Sequence, residues 1–339
     1  MTDTGALNLF QQQELNRRRT VLLIIGFVLF FAWLGFGGDW IYSLYAANQA
    51  TPRQHTVWWF GMVLTALGAW IAWYGYRTGA SKVLWATGAR EIIDSQTDAE
   101  RQLVNVVEEM AIAAGVPRPR VWIVPDPDPN AFATGTDPQH AHVAVTQGLL
   151  DTLNRDQLQA VVAHELGHVK NLDVRLMTTL AALVGMVALM SNGMGRVLRG
   201  GGRVSSGGGK GKGAGAAVVV LLVLWLLSWL LAGVIARLLA RAVSRKREYL
   251  ADAMSAQFTR NPLALASALE KIEGADAPTT SIKSGTAHLC IADPLGRRLT
   301  SHEGWLADTL ATHPPMVKRI AILKGMGYAQ LKHEGGAIP

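Results

Sequence analysis

The feature that most constrains this chain is how its apolar residues are grouped. Four stretches, 20–38, 56–76, 176–195 and 213–236, contain no Asp, Glu, Lys or Arg. Each approaches or exceeds the ~20 apolar residues that a helix needs to cross the hydrocarbon core of a bilayer. Trp58 and Trp59 at one end of the second stretch, and Trp70 and Trp73 near the other, fit interfacial aromatic belts. The expectation is therefore four membrane crossings. An even number puts the N-terminus, the 77–175 segment and the C-terminal segment on one side. Basic residues flanking the runs, Arg17, Arg18 and Arg19 among them, are denser on that side, which marks it as cytoplasmic. One connection runs against this rule. Residues 193–215 hold Arg196, Arg199, Arg203, Lys210 and Lys212 with no acid. Their many glycines read as a mobile loop without chemistry.

Composition excludes other classes. Half of the 339 residues are hydrophobic and 17% are charged, which is not the make-up of a disordered chain. A single cysteine, Cys290, excludes a disulfide scaffold and reads as a buried, inert thiol. The net charge of +7 is concentrated beside the apolar runs, so it speaks for a lipid bilayer and topology. No nucleic-acid-binding motif is present. The apolar runs carry no charged residue that could line a conduction pathway, which leaves a transporter without support.

Outside those runs the local signals mix helix and strand. A helix is expected over 97–114, stopped by Gly115 and Pro117. Strand candidates are Val121–Val124, Ala131–Thr134 and Val143–Thr146, with a Pro/Asp turn cluster at 125–129. Another helix opens at Asn154, with Gln157 three residues on as a capping box. The 237–339 segment reads as helical, with breaks near 274–286 and 293–304. The class is α+β, mostly helical, with a small sheet. His140 and His142 read as exposed loop residues, and His288 as a packed one.

The chemistry lies in Ala163-His164-Glu165-Leu166-Gly167-His168. Histidines four apart on a helix share a face, so both imidazoles can reach one cation. Glu165 falls beside the metal position, where it can hold a water. This is the H-E-x-x-H spacing of zinc hydrolases. A catalytic zinc takes a third protein ligand. A histidine six residues beyond the second, with a glycine between, is one solution, but those positions hold Val174 and Asn171. A glutamate from a later helix is the other, and Glu248 fits, with Asp252 one turn further on. The competing reading makes Glu248 and Asp252 a solvated helix face beside Arg245 and Arg247. Topology favours the ligand reading, because the two apolar runs between His168 and Glu248 return the chain to the side it left.

Five spaced elements make the sequence resemble the HtpX-like membrane zinc metallopeptidases, relatives of the CAAX prenyl endopeptidases. They are Asn130-Ala131-Phe132-Ala133-Thr134-Gly135, Val143 to Leu150, His164 to Asp173, Glu248-Tyr249-Leu250-Ala251-Asp252, and Thr312-His313-Pro314-Pro315 ending with Arg319-Ile320. The resemblance implies a zincin-like domain formed by 77–175 and 237–339. A membrane hairpin at 176–236 interrupts it, and a segment with two transmembrane helices, 1–76, precedes it. It implies one Zn2+ per chain on His164, His168 and Glu248, with Glu165 as general base. Asn130, Ala131, Phe132, Ala133 and Thr134 would form the edge strand that pairs with an extended substrate. His313 would stabilise the tetrahedral intermediate, and Arg319 would pair with Asp252. The implied activity is peptide-bond hydrolysis in misfolded or surplus membrane proteins at a bacterial inner membrane, with the site on the cytoplasmic side. Polypeptides and lipid are the implied partners, and nucleic acid is not. Prenyl-peptide processing and a non-catalytic membrane scaffold are the competing roles. Leu172 stands where the family pattern leads one to expect a small residue.

Overall fold

The structure is a computed structural model that describes residues 9–47, 58–200, 223, 245–275, 289–291 and 314–335. The chain divides into two compact units. One draws on Met1–Thr20, Thr78–Ala182 and Ala240–Pro339, the other on Val21–Arg77 and Leu183–Leu239.

In the second unit, helix α1 (Leu9–Ala47), from Val21 onward, packs on helix α2 (Trp59–Ala86), up to Arg77. Small residues make the approach close. A Cβ on Gly35 would lie 2.7 Å from the Gly61 Cα, and one on Gly68 would meet the Phe31 ring. Such contacts suit association in lipid, where packing replaces the hydrophobic effect. The buried Asp39 carboxylate accepts the Gly61 N–H at 2.7 Å, which satisfies one of the donors a helix start leaves open. Among the described residues one helix, over Gln11–Trp40, is long and apolar enough to cross a membrane, by length and composition. The second expected crossing falls in α2, whose Trp and Tyr content keeps it below that level of hydropathy. The fourth, 213–236, lies outside the described residues apart from Val223.

Among the described residues the first unit holds a four-stranded sheet in the order β1-β2-β4-β3. β1 (Arg90–Glu91) pairs antiparallel with β2 (Arg120–Val124), which runs parallel to β4 (Ala141–Thr146). β3 (Ala131–Gly135) pairs antiparallel with β4 and forms the sheet's edge. Two helices frame it. α3 (Asp98–Ala114) is capped by Thr97, whose side chain accepts the Glu100 N–H, and is ended by Gly115 at φ 67. α5 (Arg155–Lys170) opens on the expected capping box of Asn154 and Gln157. The short α4 (Gln147–Thr152) precedes it. Val161, Val162, Ala163 and Leu166 are wholly buried, so α5 is a central helix covered on most faces. α7 (Arg245–Thr259), α8 (Pro262–Glu273) and α9 (Met316–Gly335) add to the helical layer, with Leu265, Leu269, Ile272 and Leu323 in the same core as Val143 and Val145.

Two expectations are corrected here. His142 is not in a loop. It sits on β4 and accepts a hydrogen bond from the Trp122 indole at 3.1 Å, because the strand begins at Ala141. Residues 193–200 are not loop either, since α6 (Asp173–Gly200) continues through them. Isolated helix glycines cost only about 1 kcal/mol each, too little to stop an established helix.

Candidate metal centre

Helices α5 and α7 build the centre by close approach. Gly167 faces Ala251, and a Cβ on Gly167 would lie 3.3 Å from the Ala251 Cα. Buried Ser255 on α7 donates to the Ala160 carbonyl at 2.7 Å, which fixes the register of the pair. The result brings Glu248 to the two histidines across about eighty residues of sequence. The Nε2 atoms of His164 and His168 are 3.3 Å apart. Glu248 Oε2 lies 3.7 Å from the first and Oε1 3.6 Å from the second. Tetrahedral zinc with bonds of about 2.0–2.2 Å needs donors about 3.3–3.6 Å apart, so the three side chains fit one such ion. The Glu248 and Asp252 carboxylates are both buried, which overturns the reading of a solvated face.

Each histidine is oriented through its other nitrogen. His164 Nδ1 is 2.9 Å from Asp252 Oδ1, and His168 Nδ1 is 3.1 Å from Asp173 Oδ2. Both leave Nε2 toward the common centre, the arrangement in which a carboxylate holds a ligating imidazole. Asp252 is in turn gripped by Arg319, with Nε and Nη2 donating at 2.8 and 2.7 Å. This is the pairing of Arg319 with Asp252 expected from the sequence. Arg319 also donates to the Ile291 carbonyl at 3.1 Å and lies 3.5 Å from Glu248.

Burial dominates the electrostatics. Burial holds His164 below the usual imidazole range, against the pull of Asp252. It would lower His168 too, but the hydrogen bond to Asp173 and the charges of Glu248 and Asp173 prevail, and His168 is pushed up to about 9. Burial, reinforced by the Glu248 charge, pushes Glu165 up to about 7. Burial also works against the Asp252 charge, but Arg319 overcomes it and holds that carboxyl at about 2. Glu165 Oε1 is buried with no hydrogen-bond partner, so this carboxylate has capacity for a proton or a water. It lines a small cleft with Ala133, His168, Glu248 and Cys290.

The Asn130–Thr134 segment is at the sheet's edge, as expected, but that edge is not open along its length. The Ala131 carbonyl accepts the Ile291 N–H at 3.0 Å, and Phe132 bridges Cys290 in antiparallel sense. Asn130 turns its Oδ1 onto the Ala131 N–H at 3.1 Å, and the Gly135 N–H donates to Thr178 at 3.0 Å. Cys290 is buried, as the sequence suggests. His313 and His288 lie outside the described residues. Sequence reasoning gave no role to Asp173 or to Arg247, which entered only as a neighbour of the solvated face in the competing reading. Arg247 is in fact buried, with Nη1 3.7 Å from Asp173 Oδ1. The signal for Asp173 was available, since it closes the matched stretch His164 to Asp173, five residues beyond His168. Nothing local marks Arg247.

Two imidazoles one turn apart, a glutamate from a second helix and a buried carboxylate beside them define a metal-dependent hydrolase site. Comparison with known proteins narrows the class. Residues 97–327 match the model of peptidase family M48. A "Protease HtpX homolog" of Thermoanaerobacter pseudethanolicus is 37% identical over 328 residues, 94% of this chain and 98% of that protein. Another, from Tropheryma whipplei, is 44% identical over 268 residues, 79% of this chain and 86% of the relative. Among solved structures, S. mikatae Ste24p aligns at a TM-score of 0.43 and 17% identity, covering 90% of this chain and 66% of that one. The chain belongs to peptidase family M48, and it is a metalloprotease.

Proposed function

We propose that the chain is a membrane-anchored zinc endopeptidase whose ion is held by His164, His168 and Glu248. The observation that carries this is the convergence of those three donors, all within 4.8 Å of one another, on one buried point. A zinc ion there would supply Lewis acidity toward a peptide carbonyl and acidify water. Glu165, with its unpaired oxygen facing the same cleft, accepts the proton from an attacking water and returns it to the leaving amine. Burial keeps that carboxyl near neutrality, where a general base is most effective. His313, by resemblance, donates to the developing oxyanion. The fold is read as zincin-like, split between 77–175 and 237–339 by the 176–236 hairpin.

The edge position of β3 supports a role for Asn130–Thr134 in holding an extended peptide by backbone pairing. Leu289–Ile291 lies on the path such a peptide would take, so substrate entry exchanges one strand pairing for another. The apolar span in α1 supports a place in the membrane. Four crossings, a bacterial inner membrane, a cytoplasmic site and misfolded membrane proteins as substrates complete the reading.

Glu165→Gln is the direct test. Purified with zinc in detergent, the variant should keep its metal and lose about 100-fold or more in cleavage of an unfolded polypeptide. Equal cleavage by both proteins would remove the mechanism.

A further inference from the structure

Asp173 orients His168 as Asp252 orients His164, and the support of this carboxylate comes from the far end of the sequence. Helix α5 ends at Lys170, Asn171 caps it, and Leu172 takes φ 58 before Asp173 opens α6. The left-handed conformation is unfavourable for a side chain of this kind. It reverses the chain so sharply that Asp173 returns to His168, five residues back. Something must hold this turn. Asn16 on α1 is wholly buried, and its Nδ2 donates to the Asn171 carbonyl at 3.0 Å and to Asp173 Oδ1 at 2.7 Å. Gln13, one turn earlier, donates to the Lys170 carbonyl at 2.7 Å. A helix leaves its last carbonyls without intrahelical partners, so α1 supplies the cap for α5 from about 155 residues away. With Asn16 and Arg247 on Oδ1, the Asp173 carboxylate presents Oδ2 to His168.

We infer that Asn16, assisted by Gln13, is a positioning residue of the metal centre: it fixes the Asn171–Asp173 turn and the Asp173 carboxylate, and through them the His168 imidazole. The amino-terminal helix is then a part of the site, and the site's affinity for its ion depends on that helix being docked. The inference rests on the reading of His168 as a ligand. Partners of this kind typically change metal affinity by about 10–100-fold.

The test uses the full-length protein in detergent, stripped with a chelator and titrated with zinc against a competing chelating dye. Asn16→Ala and Asp173→Asn should each weaken binding by about 10–100-fold. The double variant should bind about as weakly as Asp173→Asn alone, since both act through one carboxylate. Gln13→Ala should shift affinity in the same direction by less. Arg18→Ala, on the exposed face of the same helix and paired with Glu14, is the control and should bind as wild type does. Melting curves of the stripped proteins identify any variant that fails to fold, in which case Asp173→Asn and Gln13→Ala carry the comparison. Wild-type affinity in Asn16→Ala, with only a lowered melting point, would reduce the contact to packing and overturn the inference. Losses that multiply in the double variant would do the same. His168→Ala separates the two readings. If it binds zinc as wild type does, the ligand assignment fails, whereas loss of binding there and not in Asn16→Ala sinks the positioning role alone.

Discussion

At the scale of single residues, the centre is a set of charges kept in a place with little water. Arg319 is the most exposed to loss, being wholly buried and shared between Asp252, Glu248 and the Ile291 carbonyl. Removing one partner of such a pair leaves the other buried without compensation, which costs ~3–5 kcal/mol. Arg319→Ala should therefore lower the melting temperature of the stripped protein markedly. Arg319→Lys should recover little, because an ammonium cannot reproduce the two-pronged contact with Asp252. Titration offers a second residue-scale test. Without metal, Glu165 and His168 bind protons more tightly folded than unfolded, with folded values of about 7 and about 9. Each stabilises the fold below its ordinary value of ~4.3 or ~6.5, and that contribution is lost as pH rises through the folded value. His164, held low, works in the opposite sense, but only below ~6.5. The melting temperature of chelated protein should fall from pH 6.5 to 9, and added zinc should flatten the fall. A melting temperature that rises over this window in the chelated protein would contradict the charge pattern.

At the scale of elements, what could be read from sequence was what local chemistry decides. Thr97 and Gly115 bound α3, and Asn154 with Gln157 opens α5, because caps are set within a few residues. The H-E-x-x-H face and the Glu248 turn are legible for the same reason. Three features were not. The end of α6 is obscured by glycines that a continuing helix tolerates. The burial of Arg247 depends on Asp173, more than seventy residues earlier. The pairing of Cys290 with Phe132 joins segments about 160 residues apart, and no periodicity announces it. That pairing gives an element-scale prediction. If a peptide must take the Ala131 carbonyl from Ile291, then Ile291→Pro, which removes the competing N–H, should lower KM for an unfolded substrate several-fold with little change in kcat. An unchanged KM would show that substrate does not use this edge.

At the scale of the whole molecule, the candidate centre gathers residues from 16 to 319, and the family match over 97–327 covers the proposed ligands but not Asn16. Two of the proposed ligands come from α5 and the third from α7, beyond α6. The account therefore stands on Glu248 sharing an ion with His164 and His168. Metal content of the purified protein tests this most directly, compared among wild type and the His164→Ala, His168→Ala and Glu248→Ala variants. The account predicts one zinc per wild-type chain and, under the same dialysis, loss of most of it in all three variants. A Glu248→Ala protein that keeps its zinc as tightly as wild type would contradict it.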